Sequence, residues 1–135
     1  MTTPEITKSI SDARLYKLIN LPNKMTCLLI SDPETDKSAA SLDVHVGAAL
    51  DQKPLYGTAH FLEHMLFMGT KKFPSENEYN QFISDNAGYT NAWTSLTSTN
   101  YQFEVGNQGF EGALDRFAQF FICPLIGADS TEREM

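Results

Sequence analysis

Three histidines occur in the chain. Two of them, His60 and His64, stand four positions apart with Glu63 beside the second, in the run Gly57-Thr58-Ala59-His60-Phe61-Leu62-Glu63-His64-Met65-Leu66-Phe67-Met68-Gly69-Thr70. Two imidazoles one helical turn apart can each offer a ring nitrogen to one Zn²⁺ at about 2.0–2.1 Å, leaving positions for a third protein ligand and a water. A carboxylate on the same face can take the proton of that water as it attacks a peptide carbonyl polarised by the metal, which makes Glu63 the candidate general base. Two buried histidines that are merely hydrogen-bonded would account for the composition. They would not account for the spacing, or for the glutamate that comes with it.

These residues need a helix to share a face, and the local composition provides one. Between Gly57 and Gly69 lie eleven residues without proline, rich in Leu, Met, Ala and Glu. Positions i, i+3 and i+4 of a helix point the same way, so His60, Glu63 and His64 form one polar stripe. Phe61, Leu62, Met65, Leu66 and Met68 cover the remaining surface. A helix apolar nearly all round is expected to be buried, with a metal ion as the partner of its polar stripe.

The flanking chain reads as alternating strands and helices. Residues 1–12 are polar and without periodicity, the pattern of a flexible N-terminus, and 13–135 read as one domain. Tyr16 to Leu21 and Met25 to Ser31 are predicted strands joined by a Pro22-Asn23 turn. Ala40 to Val46 alternates, with Leu42, Val44 and Val46 on one face and His45 on the other, where it reads as a surface histidine. Ser75-Glu76-Asn77-Glu78 predicts a capping box for a helix that carries Tyr79, Phe82 and Ile83 and ends at Gly88. Thr90 to Ser95 and Tyr101 to Val105 are strands. A helix from about Gly109 to Cys123 shows Phe110, Leu114, Phe117 and Phe121 on one face, and Pro124 stops it. Asp129-Ser130-Thr131 caps a last helix that has run barely one turn at Met135. Helices draw their stability from later turns, so the expectation is an N-terminal piece of a longer protein.

Composition narrows the class of partner. With 135 residues and 41% hydrophobic side chains the chain can bury one core. A net charge of −7 argues against nucleic acid. No apolar run is long enough for a membrane span, and the first residues lack a signal-peptide core. Cys27 and Cys123 read as reduced core thiols, which fits a cytosolic compartment.

The run His60 to Pro74, together with Asn91-Ala92-Trp93-Thr94-Ser95 and Gly112 to Leu125, resembles the insulin-degrading enzyme (insulysin) branch of the pitrilysin family of zinc metallopeptidases. Its H-x-x-E-H order is that of the inverzincins. The resemblance covers the chain from about Tyr16 to its end. It implies an α/β (α+β) domain, a mixed β-sheet with helices on one face, as the first of several homologous domains. It also implies a zinc endopeptidase that encloses peptides between two halves, so that the remainder of the protein or a partner half is needed. By position, His60 and His64 are then zinc ligands and Glu63 the general base. Asn91 and Ala92 hold the substrate backbone on an edge strand. From the residues alone, Asn91-Ala92-Trp93 reads equally as a plain amphipathic strand.

The family's third ligand is a glutamate about two helical turns beyond Glu134, past the end of the chain. Glu134 matches an acidic residue that supports the site. Glu132, Glu134 or an outside residue are the alternatives for the third position. The 135 residues alone are therefore expected to be inactive or weak. A truncated, non-catalytic relative that binds peptides or partner subunits is the alternative to a peptidase.

Overall fold

The computed structural model describes residues 6–134. The first five residues of the expected flexible N-terminus, and Met135, lie outside the described residues. The chain divides into two compact units, Met1–Thr35 and Asp36–Met135. Among the described residues no helix is long and apolar enough to cross a membrane.

The first unit is the expected hairpin. Strands β1 (Leu15–Asn20) and β2 (Thr26–Ser31) pair antiparallel from Leu15↔Ser31 to Asn20↔Thr26. The turn closes through Leu21 N–H on the Met25 carbonyl at 2.8 Å, while the Asn23 side chain accepts from Met25 N–H at 3.1 Å. Ahead of the hairpin, Asp12 accepts from the Arg14 guanidinium and from the Tyr16 hydroxyl, which together hold its carboxyl well below the usual range.

The second unit holds β3 (Lys37–Val44), α1 (Thr58–Leu66), α2 (Glu78–Asp85), β4 (Tyr89–Thr94), β5 (Thr99–Gly106), α3 (Phe110–Ile122) and α4 (Ala128–Glu134). Its sheet has the order β3-β5-β4, with both pairings antiparallel. The α+β class therefore holds. In place of one mixed sheet, the described strands form two antiparallel ones, a two-stranded and a three-stranded sheet.

Alternation along β5 turns Tyr101, Phe103 and Val105 inward, where they meet Leu66, Tyr79, Ile83, Ala113, Phe117 and Phe120 from the helices. Ala40, Leu42 and Val44 of β3 pack against the same cluster. Val46 lies beyond the strand and is exposed, unlike its expected neighbours. In α3 the buried stripe is Ala113, Phe117 and Phe120, while Leu114 and Phe121 are exposed. Two apolar stripes that share Phe117 run along that helix, and the first, with the fully buried Ala113, faces the core.

The expected caps are not the ones that form. Neither α2 nor α4 begins as the cap residues suggested: α2 starts at Glu78 without a side-chain cap, and Asp129, Ser130 and Thr131 lie inside α4. Two of the expected cap residues, Glu78 and Ser130, are used in tertiary contacts instead. Glu78 pairs with Arg116 at 2.7 Å, and Arg116 is sandwiched between the Phe73 and Phe82 rings at 4.3 and 3.9 Å. Glu76 pairs with Ser130 and Arg133.

Helix α2 closes in a Schellman arrangement, with Gly88 N–H on the Ile83 carbonyl and Ala87 N–H on the Ser84 carbonyl. The left-handed residue is Ala87, at φ 53°, rather than Gly88. What Gly88 provides is close approach, because a Cβ there would lie 2.3 Å from the Glu104 carbonyl oxygen. That approach lets β4 leave α2 directly alongside β5.

Candidate metal centre

Helix α1 begins at Gly57, whose φ of 89° favours glycine. No residue of the helix caps it; Asp51, six residues upstream, accepts from Gly57 N–H at 2.7 Å and from Ala59 N–H at 3.0 Å. A carboxylate here satisfies orphan donors and complements the helix dipole. The packing of α1 is one-sided. Met65 and Leu66 are buried, whereas Leu62 is 43% exposed and both histidines face solvent. The expectation of a fully buried helix is thus corrected: Glu63, at 7% exposure, is the buried member of the polar stripe.

The two rings meet through their Nε2 atoms, 3.2 Å apart. Two metal–nitrogen bonds of about 2.0–2.1 Å at a tetrahedral angle put their nitrogens about 3.3–3.4 Å apart, so the pair fits one zinc ion. One ligand atom from each of His60, Glu63 and His64 lies within 4.8 Å of the others. His64 is oriented from behind by Glu134 of α4, whose Oε2 lies 3.0 Å from His64 Nδ1. With Nδ1–H donating to that carboxylate, the lone pair of neutral His64 sits on Nε2, facing His60.

Glu63 is held from the sheet. Thr94, the last residue of β4, donates its hydroxyl to Glu63 Oε2 at 2.5 Å. Tyr101, opposite Ala92 on β5, is pushed up to about 12, first by burial and then by the negative charge of Glu63. Neither Thr94 nor Asp51 stands out as a site residue in the sequence. Thr94 belongs to the Asn91-Ala92-Trp93-Thr94-Ser95 run, and that is the one signal that could have found it.

Asn91 and Ala92 lie on β4, paired with Gln102 and Tyr101. Asn91 is exposed on the outer face, and Ala92 packs on the core. β4 is an edge strand, hydrogen-bonded to β5 on one side only among the described strands. The strand ends at Thr94, whose hydroxyl reaches Glu63. Of the third-ligand alternatives on α4, Glu132 is exposed, and Glu134 meets His64 at Nδ1 rather than at the nitrogen facing His60.

Residues 26–135 match the family described as Insulinase (Peptidase family M16). Over 131 residues the chain is 56% identical to the insulin-degrading enzyme of Mus musculus, covering 97% of the chain and 13% of that protein. It is 56% identical over 124 residues to the A-factor-processing enzyme of Saccharomyces cerevisiae, covering 92% of the chain and 12% of that protein. The crystal structure of pitrilysin superposes with a TM-score of 0.92 at 40% identity, covering 96% of the chain and 14% of that structure. The chain thus spans about an eighth of the length of the relatives it matches. With the family match extending over most of its length, this chain belongs to the insulinase family, Peptidase family M16.

Proposed function

We infer that this chain is the catalytic N-terminal portion of a zinc-dependent endopeptidase. The observation that carries the reading is the meeting of two imidazole nitrogens at 3.2 Å beside a buried glutamate. His60 and His64 would hold the ion through Nε2, and Glu134 would support His64 from its Nδ1 side. The third protein ligand would come from outside the described residues. Zinc, when bound, would polarise a peptide carbonyl and acidify a water.

The remaining chemistry belongs to the chain. Glu63 takes a proton from the attacking water and returns it to the leaving amine. Thr94 holds Oε2 of Glu63, which leaves Oε1 for that proton. The free edge of β4, at Asn91 and Ala92, would hold an extended peptide by backbone hydrogen bonds, a mode that asks little of the substrate's side chains. Unstructured peptides are therefore the substrate class. The two free thiols, Cys27 and Cys123, fit a reducing, cytosolic setting.

A non-catalytic peptide-binding role is favoured by one observation. Glu134 is committed to His64 Nδ1, and His60, Glu63 and His64 are the only potential metal-binding group among the described residues. Zinc titration by calorimetry separates the readings. A metallopeptidase site binds zinc in the wild type and loses it in His60→Ala and His64→Ala; identical titrations for all three contradict the metal reading.

A further inference from the structure

Helix α4 carries Glu134 to His64. The chain entering it is pinned by the Thr70↔Pro124 bridge and by Leu125 N–H on the Gly69 carbonyl at 3.0 Å. Beyond that point its side chains reach back in two places. One is Glu134 on His64. The other is Glu76, between α1 and α2, whose Oε1 accepts from the Ser130 hydroxyl at 2.6 Å and from the Arg133 guanidinium at 2.5 Å.

The positions of these contacts matter more than their strength. Ser130 and Glu134 are one turn apart on one face of α4, and Arg133 directly precedes Glu134. Ser130 is buried, so its hydroxyl depends on the Glu76 carboxylate for a partner. The Ser130 hydroxyl, and then Arg133, hold the Glu76 carboxyl below its usual range. An exposed ion pair contributes little to global stability. A contact that fixes the rotation of a helix at its first turn can still decide where the next turn's carboxylate sits.

We propose that Glu76 is a positioning residue of the metal site: by clasping Ser130 and Arg133 it sets the rotation of α4 that brings Glu134 to Nδ1 of His64. The inference rests on the zinc reading above. Glu76 touches neither histidine and takes no part in proton transfer. Among the described residues its effect reaches the metal through Glu134 and His64.

The test is a competition titration of zinc against a chromophoric chelator, in the full-length protein that carries this chain. Cobalt(II) substitution gives an absorption band that reads histidine coordination independently of turnover. Partners that orient a ligating histidine are worth about 10–100-fold in affinity. Glu76→Ala is expected to weaken zinc binding about 10-fold and to alter the cobalt band. Arg133→Ala, which breaks the same clasp from the helix side, gives the same loss. Because part of the effect passes through Glu134, the losses of Glu76→Ala and Glu134→Ala combine to less than their sum in the double variant. Wild-type affinity in both Glu76→Ala and Arg133→Ala overturns the proposal, as does full additivity in the double variant. If wild type and His64→Ala bind zinc alike, the zinc reading falls and takes this proposal with it, a result distinct from either of those.

Discussion

The Thr94 hydroxyl at the end of β4 donates to Glu63 Oε2 in α1 at 2.5 Å, which ties the edge strand to the one buried carboxylate of the stripe proposed to bind metal. That single contact joins the strand proposed to hold a peptide to the group proposed to move its proton. A carboxylate at 7% exposure that lost this donor would be desolvated without compensation.

Thr94→Val keeps the shape of the side chain and removes the hydroxyl. It is expected to cost about 1–3 kcal/mol of stability, read by urea unfolding. Thr94→Ser restores most of that loss. Equal losses for Val and Ser would show that packing of the methyl group, rather than the hydrogen bond, matters at this position.

The core makes a prediction about alkaline pH. Burial pushes both Tyr79 and Tyr101 up to about 12, above an unfolded value of about 10. Groups whose folded pKa is raised contribute stability that is fully present below the unfolded pKa and is lost as pH rises through the folded one. Stability should therefore fall between about pH 10 and 12. Phe at either position should flatten the fall, which thermal melts across that range would register.

Packing makes another. Phe120 is 2% exposed and stacks edge-on with Tyr79 at 4.8 Å and Phe67 at 5.1 Å. Phe120→Ala is expected to cost about 3–5 kcal/mol in denaturant titration. Gly88→Ala would drive a methyl group into the Glu104 carbonyl oxygen, with an expected cost of about 1–3 kcal/mol. A neutral Gly88→Ala would mean that β4 can move away from β5 without penalty.

How much of this was legible in the sequence depended on distance along the chain. His60, Glu63 and His64 share one helix, so their common face follows from spacing alone. Asp51 is not periodic with anything, and its capping role appears only when the loop before α1 folds back. Thr94 reaches Glu63 across 31 residues and Glu134 reaches His64 across 70, distances at which local pattern carries no information. The resemblance supplied a supporting role for Glu134 where periodicity could not. The caps misled for a related reason: Glu78 and Ser130 have the chemistry of helix ends, but a tertiary partner takes each of them. In α3 both stripes, which share Phe117, are apolar, so periodicity did not distinguish the buried Ala113 and Phe120 from the exposed Leu114 and Phe121.

The most direct measurement is cleavage of an unstructured peptide by the full-length protein and by its Glu63→Gln variant at equal zinc occupancy. The amide keeps the size of the side chain and can still pair with the Thr94 hydroxyl, while zinc affinity, on the proposed reading, rests on His60, His64 and the third ligand. Removal of a general base costs about 10²–10⁴-fold, so Glu63→Gln should retain zinc and lose turnover by that factor. Equal rates at equal occupancy would make Glu63 a structural carboxylate and contradict the proton-transfer role assigned to it.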